Sequence, residues 1–268
     1  MKSFLFLLLS GILILLDSAS LAQTPRPSEP PPQQPQRLPD CGTREVLISI
    51  LIPSLPNVPF TATVNTEWIR QLPDGSAITL KNHRTIARDA AGRIFQERRA
   101  LVPDDGKTKS GVTQIEISDP VARELYICMP YGRTCQLEEF APPESTPYIP
   151  PDKAHMVQGS SSQSEDLGKQ PVSGLETVGT RETTIIPTGI IGNNSPLISK
   201  REFWFSPQLG VNLISKRQDP LSGTQNFEVS DIALGDPDPK LFEVPVGFKI
   251  LDLRRPQEIT SPQMDSSN

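Results

Sequence analysis

The residues with the most specific chemistry in this chain are its three cysteines. Cys128 and Cys135 lie on either side of Pro130-Tyr131-Gly132, in two short runs, Glu124–Met129 and Arg133–Phe140, that read as the arms of a hairpin. Facing positions on antiparallel strands stand ~4.5–5.5 Å apart at Cα, within the reach of a disulfide. A Cys128–Cys135 bridge is therefore expected, with Cys41 left over; pairing of Cys41 with either of the others stays open. On the chain-entropy account, closing so short a loop contributes about 2.5 kcal/mol. The same cysteines do not suggest a metal, since no histidine stands near them and their spacing fits no zinc pattern.

The two histidines, His83 and His155, are far apart in sequence. His83 falls on the polar side of a strand and His155 in a long loop, where nothing fixes the geometry that acid–base chemistry needs. Asp236 and Asp238 each precede a proline, which points to turns rather than to ligation. The sequence holds no nucleophile elbow, phosphate-binding glycine loop or paired-histidine motif. It assigns no catalytic residue and no cofactor.

Two groups of side chains suggest binding instead. Lys81, Arg84, Arg88, Arg93, Arg98 and Arg99 stand against only Asp89 and Glu97, a local excess of +4 in a chain of net charge −5. Strand pairing would gather them on an outer surface, either as a solubilising face or as a salt-sensitive site for an anionic partner. Phe60, Trp68, Phe203, Phe205, Phe227 and Phe242, with Phe248, would line the inner face of a sheet, as core or as contacts to an apolar ligand. The acidic balance speaks against nucleic acid.

The elements that must position these groups are strands. Phe60, Ala62, Val64, Thr66 and Trp68 alternate with polar residues, the period of a half-buried strand. Pro73-Asp74-Gly75-Ser76 turns the chain into a strand over 77–89, and Asp89-Ala90-Ala91-Gly92 turns it into 93–101. Val112–Ser118 follows, then the cysteine hairpin. Strands return over 165–170 and 175–186, and again over 198–205, 211–216 and 224–232, with Phe203 and Phe205 on one face and Trp204 on the other. The Pro-bounded segment Asp236–Pro245 is expected to dock Leu241, Phe242 and Val244 against this last meander. Arg44–Ile52 fits a strand by composition, although its length does not separate strand from buried helix.

Around this domain, placed at 41–253, the ends differ in kind. Residues 1–22 read as a secretory signal: Lys2, an apolar run from Phe4 to Leu16, and Ser20-Leu21-Ala22 before a cleavage expected at Gln23. That run is short for a bilayer span, so no transmembrane segment is expected after cleavage. Residues 23–40 carry Pro25, Pro27, Pro30, Pro31, Pro32, Pro35 and Pro39, a disordered or extended spacer. The stretch 141–163, rich in proline and then serine, reads as a mobile loop. Residues 254–268 read as a disordered tail.

Several stretches carry a resemblance: Pro59-Phe60-Thr61-Ala62-Thr63-Val64, Ile86 to Arg93, Leu167-Gly168 with Gly174 and Gly179-Thr180-Arg181, Trp204 to Leu209, and Asp236 to Pro245. In these the chain resembles the envelope proteins of the lipoprotein-carrier superfamily, the group of LolA and RseB, and more closely a set of uncharacterised secreted bacterial proteins. The resemblance implies a mainly β fold: one curved antiparallel meander, a half-open barrel with few helices, whose apolar face can hold an acyl chain. Three functional readings follow. The first is an exported, non-enzymatic periplasmic or secreted protein that binds a lipid or another envelope component on its curved sheet. The second is a packed β-scaffold acting through loop 141–163 and the basic strands. The third is a hydrolase with scattered catalytic residues.

Overall fold

In a computed structural model, residues 50–140 and 157–254 are described. The stretches expected as signal (1–22) and spacer (23–40), with Cys41, His155 and residues 141–156 and 255–268, lie outside them. The described chain is one sheet of thirteen strands. The first seven are β1 (Phe60–Gln71), β2 (Ala77–Arg88), β3 (Ile94–Arg99), the two-residue β4 (Val102–Pro103), β5 (Val112–Asp119), β6 (Glu124–Met129) and β7 (Thr134–Glu139). The remainder are β8 (Ser161–Val172), β9 (Leu175–Ile186), β10 (Leu197–Ser206), β11 (Val211–Asp219), β12 (Gly223–Leu234) and β13 (Lys249–Asp252). The fold is mainly β and the sheet is not closed, as expected. The one helical turn among the described residues is a 3-10 turn, Pro239–Phe242.

The strand order is β13-β7-β6-β5-β3-β2-β1-β12-β11-β10-β9-β8, with β4 paired to β2 beside this path. Two meanders, β1 to β7 and β8 to β12, are thus joined where β1 pairs with β12. All pairings are antiparallel except that of β13, which runs parallel to β7. The turns follow their residue chemistry. Asp74 accepts from the Ser76 backbone N–H and hydroxyl, and Asp119 accepts from the N–H groups of Val121 and Ala122. Ser173 and Gly174, both at positive φ, make the tight β8–β9 turn.

The sheet buries opposite sides in its two parts. Over β1, β2, β11 and β12 the core side carries Phe60, Ala62, Val64, Ile86, Val211, Leu213, Phe227 and Val229. The chain itself covers this side. Ile50 and Ile52 lie buried on it from an extended segment, and so does Val172 at the β8–β9 tip. That tip reaches back over β10 and β11, and the Ser173 hydroxyl donates to the Val229 carbonyl at 2.9 Å. Such a reach requires a strongly curved sheet. One strand beyond β2 the buried side reverses. Ala87, Phe95, Ile117, Tyr126 and Leu137 form a single cross-strand row on the other face.

Four expectations are corrected by this arrangement. Ile50 and Ile52 are buried but not in a strand, and Leu51 between them is exposed. Serines 161 and 162 and Gln163 belong to β8, not to the preceding loop. Trp204 is the β10 aromatic that enters the main core, packed against Gly179, where a Cβ would collide with its ring. Phe242 is buried as expected, but against Ala87, Phe95 and Ile117 rather than the β10–β12 meander, because the chain after β12 crosses to the second face.

Phe242, 8% exposed, fills that second cluster beneath the Arg93 guanidinium, 4.8 Å from its ring centroid. Phe242→Ala is expected to cost about 3–5 kcal/mol through lost burial and an unfilled cavity. Chemical denaturation checks this, and a midpoint equal to wild type would show that the segment is not a structural clasp.

Candidate functional site

The residues singled out in the sequence are not brought to one place. Cys128 and Cys135 face each other across β6 and β7, fully buried and joined in a disulfide. Of the aromatic group, Phe60 and Phe227 share the main core. Trp68 is half-buried, its Nε1 donating to the Ser222 carbonyl at 2.8 Å, with the Arg70 guanidinium over its ring. Phe203 is half-buried beneath Arg201, Phe205 is 41% exposed, and Phe242 belongs to the opposite face. The six aromatics therefore do not line one continuous surface.

The basic group is likewise dispersed, and neighbouring side chains engage it. Arg84, Ile86 and Arg88 alternate along β2 and so share the buried side. Arg88 is completely buried and donates to three backbone carbonyls, Val58 at 2.9 Å, Pro53 at 2.8 Å and Leu209 at 2.7 Å. Burial pushes both guanidinium groups down to about 10, and for Arg84 the nearby Arg98 adds to the effect. Both stay charged at neutral pH. Arg93 pairs with Asp89 at 2.6 Å, and Arg99 with Glu97 at 2.8 Å.

Glu116 is the centre of a polar network beside Arg84. It accepts two bonds from Arg98, at 3.0 and 3.1 Å, one from Gln96 at 2.6 Å and one from Gln114 at 2.7 Å. Arg84 donates to Gln96 in turn. The network occupies the side of β3 and β5 that the second apolar cluster leaves polar. Glu116→Ala removes the shared acceptor and is expected to cost about 2–3 kcal/mol, since bonds to charged groups are worth about 1.5–3 kcal/mol each and relaxation recovers part. Thermal or chemical denaturation measures it; a change within 0.5 kcal/mol, the range of an ordinary surface substitution, would show that the network is not structural.

A groove of about 700 Å³ opens on the opposite side of the sheet from the main core. Two cross-strand rows form its floor: Glu228 on β12, Asn65 on β1 and His83 on β2, then Asn226, Glu67 and Lys81. Its wall is the 102–110 segment, with Asp104, Thr108 and Lys109. Lys81 bridges Asp104 at 2.8 Å and Glu67 at 3.3 Å. Those carboxylates, Asp104 first, hold the ammonium above the ordinary lysine value. Asn226 donates to Glu67 at 2.9 Å.

Only Lys81, Arg99 and His83 of this groove were picked out in the sequence. Asn65, Glu67, Asn226 and Glu228 occupy the polar alternates of their strands, so their types and parity were legible. Their union depends on β1 pairing with a strand some 160 residues away, as in Glu67 with Asn226. Asp236 and Asp238 do shape turns, accepting from the Ala90 and Lys240 N–H groups. Among the described residues no three metal-binding side chains lie together, and no helix is long and apolar enough to cross a membrane.

The chain matches no family profile and no curated protein sequence. Solved structures do resemble it. MucB of Pseudomonas aeruginosa, in complex with MucA, aligns at 12% identity over 72% of this chain with a TM-score of 0.37. The alignment spans 58% of that MucB chain, so this chain corresponds to under two thirds of it. A LolA superfamily protein from Nitrosomonas europaea aligns at 11% identity over 70% of this chain and 91% of its own, TM-score 0.29. The Mycobacterium tuberculosis lipoprotein LppX aligns at 10% identity over 71% and 90%, TM-score 0.30. The likeness to these structures is one of fold alone; what the site does rests on this chain's own residues.

Proposed function

We propose that this protein is an extracytoplasmic, non-enzymatic binding module that recognises another envelope component on its polar surface, rather than carrying an acyl chain within its sheet. The observation that supports this reading is the occupancy of the apolar face. Ile50, Ile52, Leu209 and Val172 of the chain itself fill it, and Arg88 fastens the 53–58 segment and residue 209 down through their carbonyls. An acyl chain would have to displace these side chains and strip the bonds from a buried cation, an unfavourable exchange. The polar groove over β12, β1 and β2 is a concave surface left open for recognition.

The buried disulfide supports an oxidising compartment. It agrees with the export expected from residues 1–22. Native mass spectrometry of the protein purified from its own envelope is expected to give the mass of the bare chain. A stoichiometric lipid adduct that survives detergent-free purification would overturn the reading in favour of a carrier.

A further inference from the structure

We infer that the groove over β12, β1 and β2 is a site for a short dipolar peptide, about three residues long, held by its free amino and carboxyl termini. The inference rests on the reading of this groove as the recognition surface and names what it takes.

Part of the charge in the groove is not neutralised within it. The second floor row is satisfied: Lys81 is shared by Glu67 and Asp104, and Asn226 donates to Glu67. Arg99 on the rim is spent on Glu97 and the Ser110 carbonyl. The first row is not satisfied. The side chains of Glu228 and His83, and of Lys109 on the wall, have no partner among the described residues, and all three are exposed to the groove. Asn65 stands between Glu228 and His83; one of its amide N–H groups donates to Ser230 at 2.9 Å, and its carbonyl oxygen is free to accept.

The free groups of the first row and the wall are therefore a carboxylate on the β12 side, an amide acceptor in the middle, and imidazole and ammonium donors toward β2 and the wall. The complement is an ammonium, a central N–H and a carboxylate, in that order. Glu228 and His83 flank Asn65 on its two neighbouring strands, so their Cα atoms stand two inter-strand steps apart, about 9.5 Å. A tripeptide in extended form spans about 10 Å between its ends. A phosphoethanolamine group has the same two charges but sets them across two carbons, too close to reach both sides.

The test is a titration of the purified ¹⁵N-labelled protein with trialanine, N-acetyl-trialanine amide and phosphoethanolamine, read by amide chemical shifts. Trialanine is expected to shift residues 65–67, 81–83 and 226–228 saturably, with a Kd at least ten-fold below that of either other probe. Glu228→Gln and Lys109→Gln, both exposed and remote from either core, are each expected to raise that Kd ten-fold without changing the thermal midpoint. Equal binding of the capped peptide, or of phosphoethanolamine, would overturn the dipolar inference while leaving the groove as a recognition surface. Absence of any groove shift with trialanine would overturn it too. Failure of the broader reading shows separately, as a lipid adduct in the native mass spectrum.

Discussion

One buried cation organises this molecule. Arg88 comes up from β2 beside Phe60, its guanidinium 5.0 Å from that ring, and spends its donors on three carbonyls from two stretches of the chain distant in sequence. An uncompensated buried charge is costly, and with no carboxylate among these contacts the oriented carbonyl dipoles have to offset it. The planar fork of arginine can reach several acceptors at once, which a lysine ammonium at this depth could not match. Those carbonyls belong to the segment that covers the main core and to the β10–β11 turn, so the cation fastens cover to sheet. Gly92 completes the fit, because a Cβ there would press on Ser54 and the Leu55 and Pro56 backbone.

The second constraint is the reversal of the buried side between β2 and β3. Along β2, Ile86 points into the main core and Ala87 into the second cluster, so one strand serves both. Each core then has a polar surface on its back. Behind the main core lies the groove of Asn65, Glu67, His83 and Lys81; behind the second cluster lies the Glu116 network. The same reversal scatters the aromatics and the basic side chains that look contiguous in sequence.

What was legible follows from local physics. The alternation of Phe60 to Thr66, the turn at Asp74, the cysteine hairpin and the strands over 198–232 are set by neighbours in the chain, and they formed as read. The burial of Arg84 and Arg88 had a signal as well, since both share parity with Ile86; their charge obscured it. No local signal gives the β1–β12 pairing, the crossing of Phe242 to the second face, or the covering of the core by Ile50 and Ile52. Each is decided by long-range packing, and the groove depends on the first of them.

The polar groove and the covered apolar face are two results of one arrangement, and Arg88 is where it can be broken. Hydrogen–deuterium exchange on Arg88→Met, compared with wild type, tests the central claim most directly. Met keeps the apolar stem and removes the donors. Lost protection is expected at residues 53–58 and 209–211, together with new binding of a fluorescent hydrophobic probe, while β5 to β7 stay protected. Unchanged protection at 53–58 with no probe binding would contradict it, and would mean that packing alone holds the cover in place.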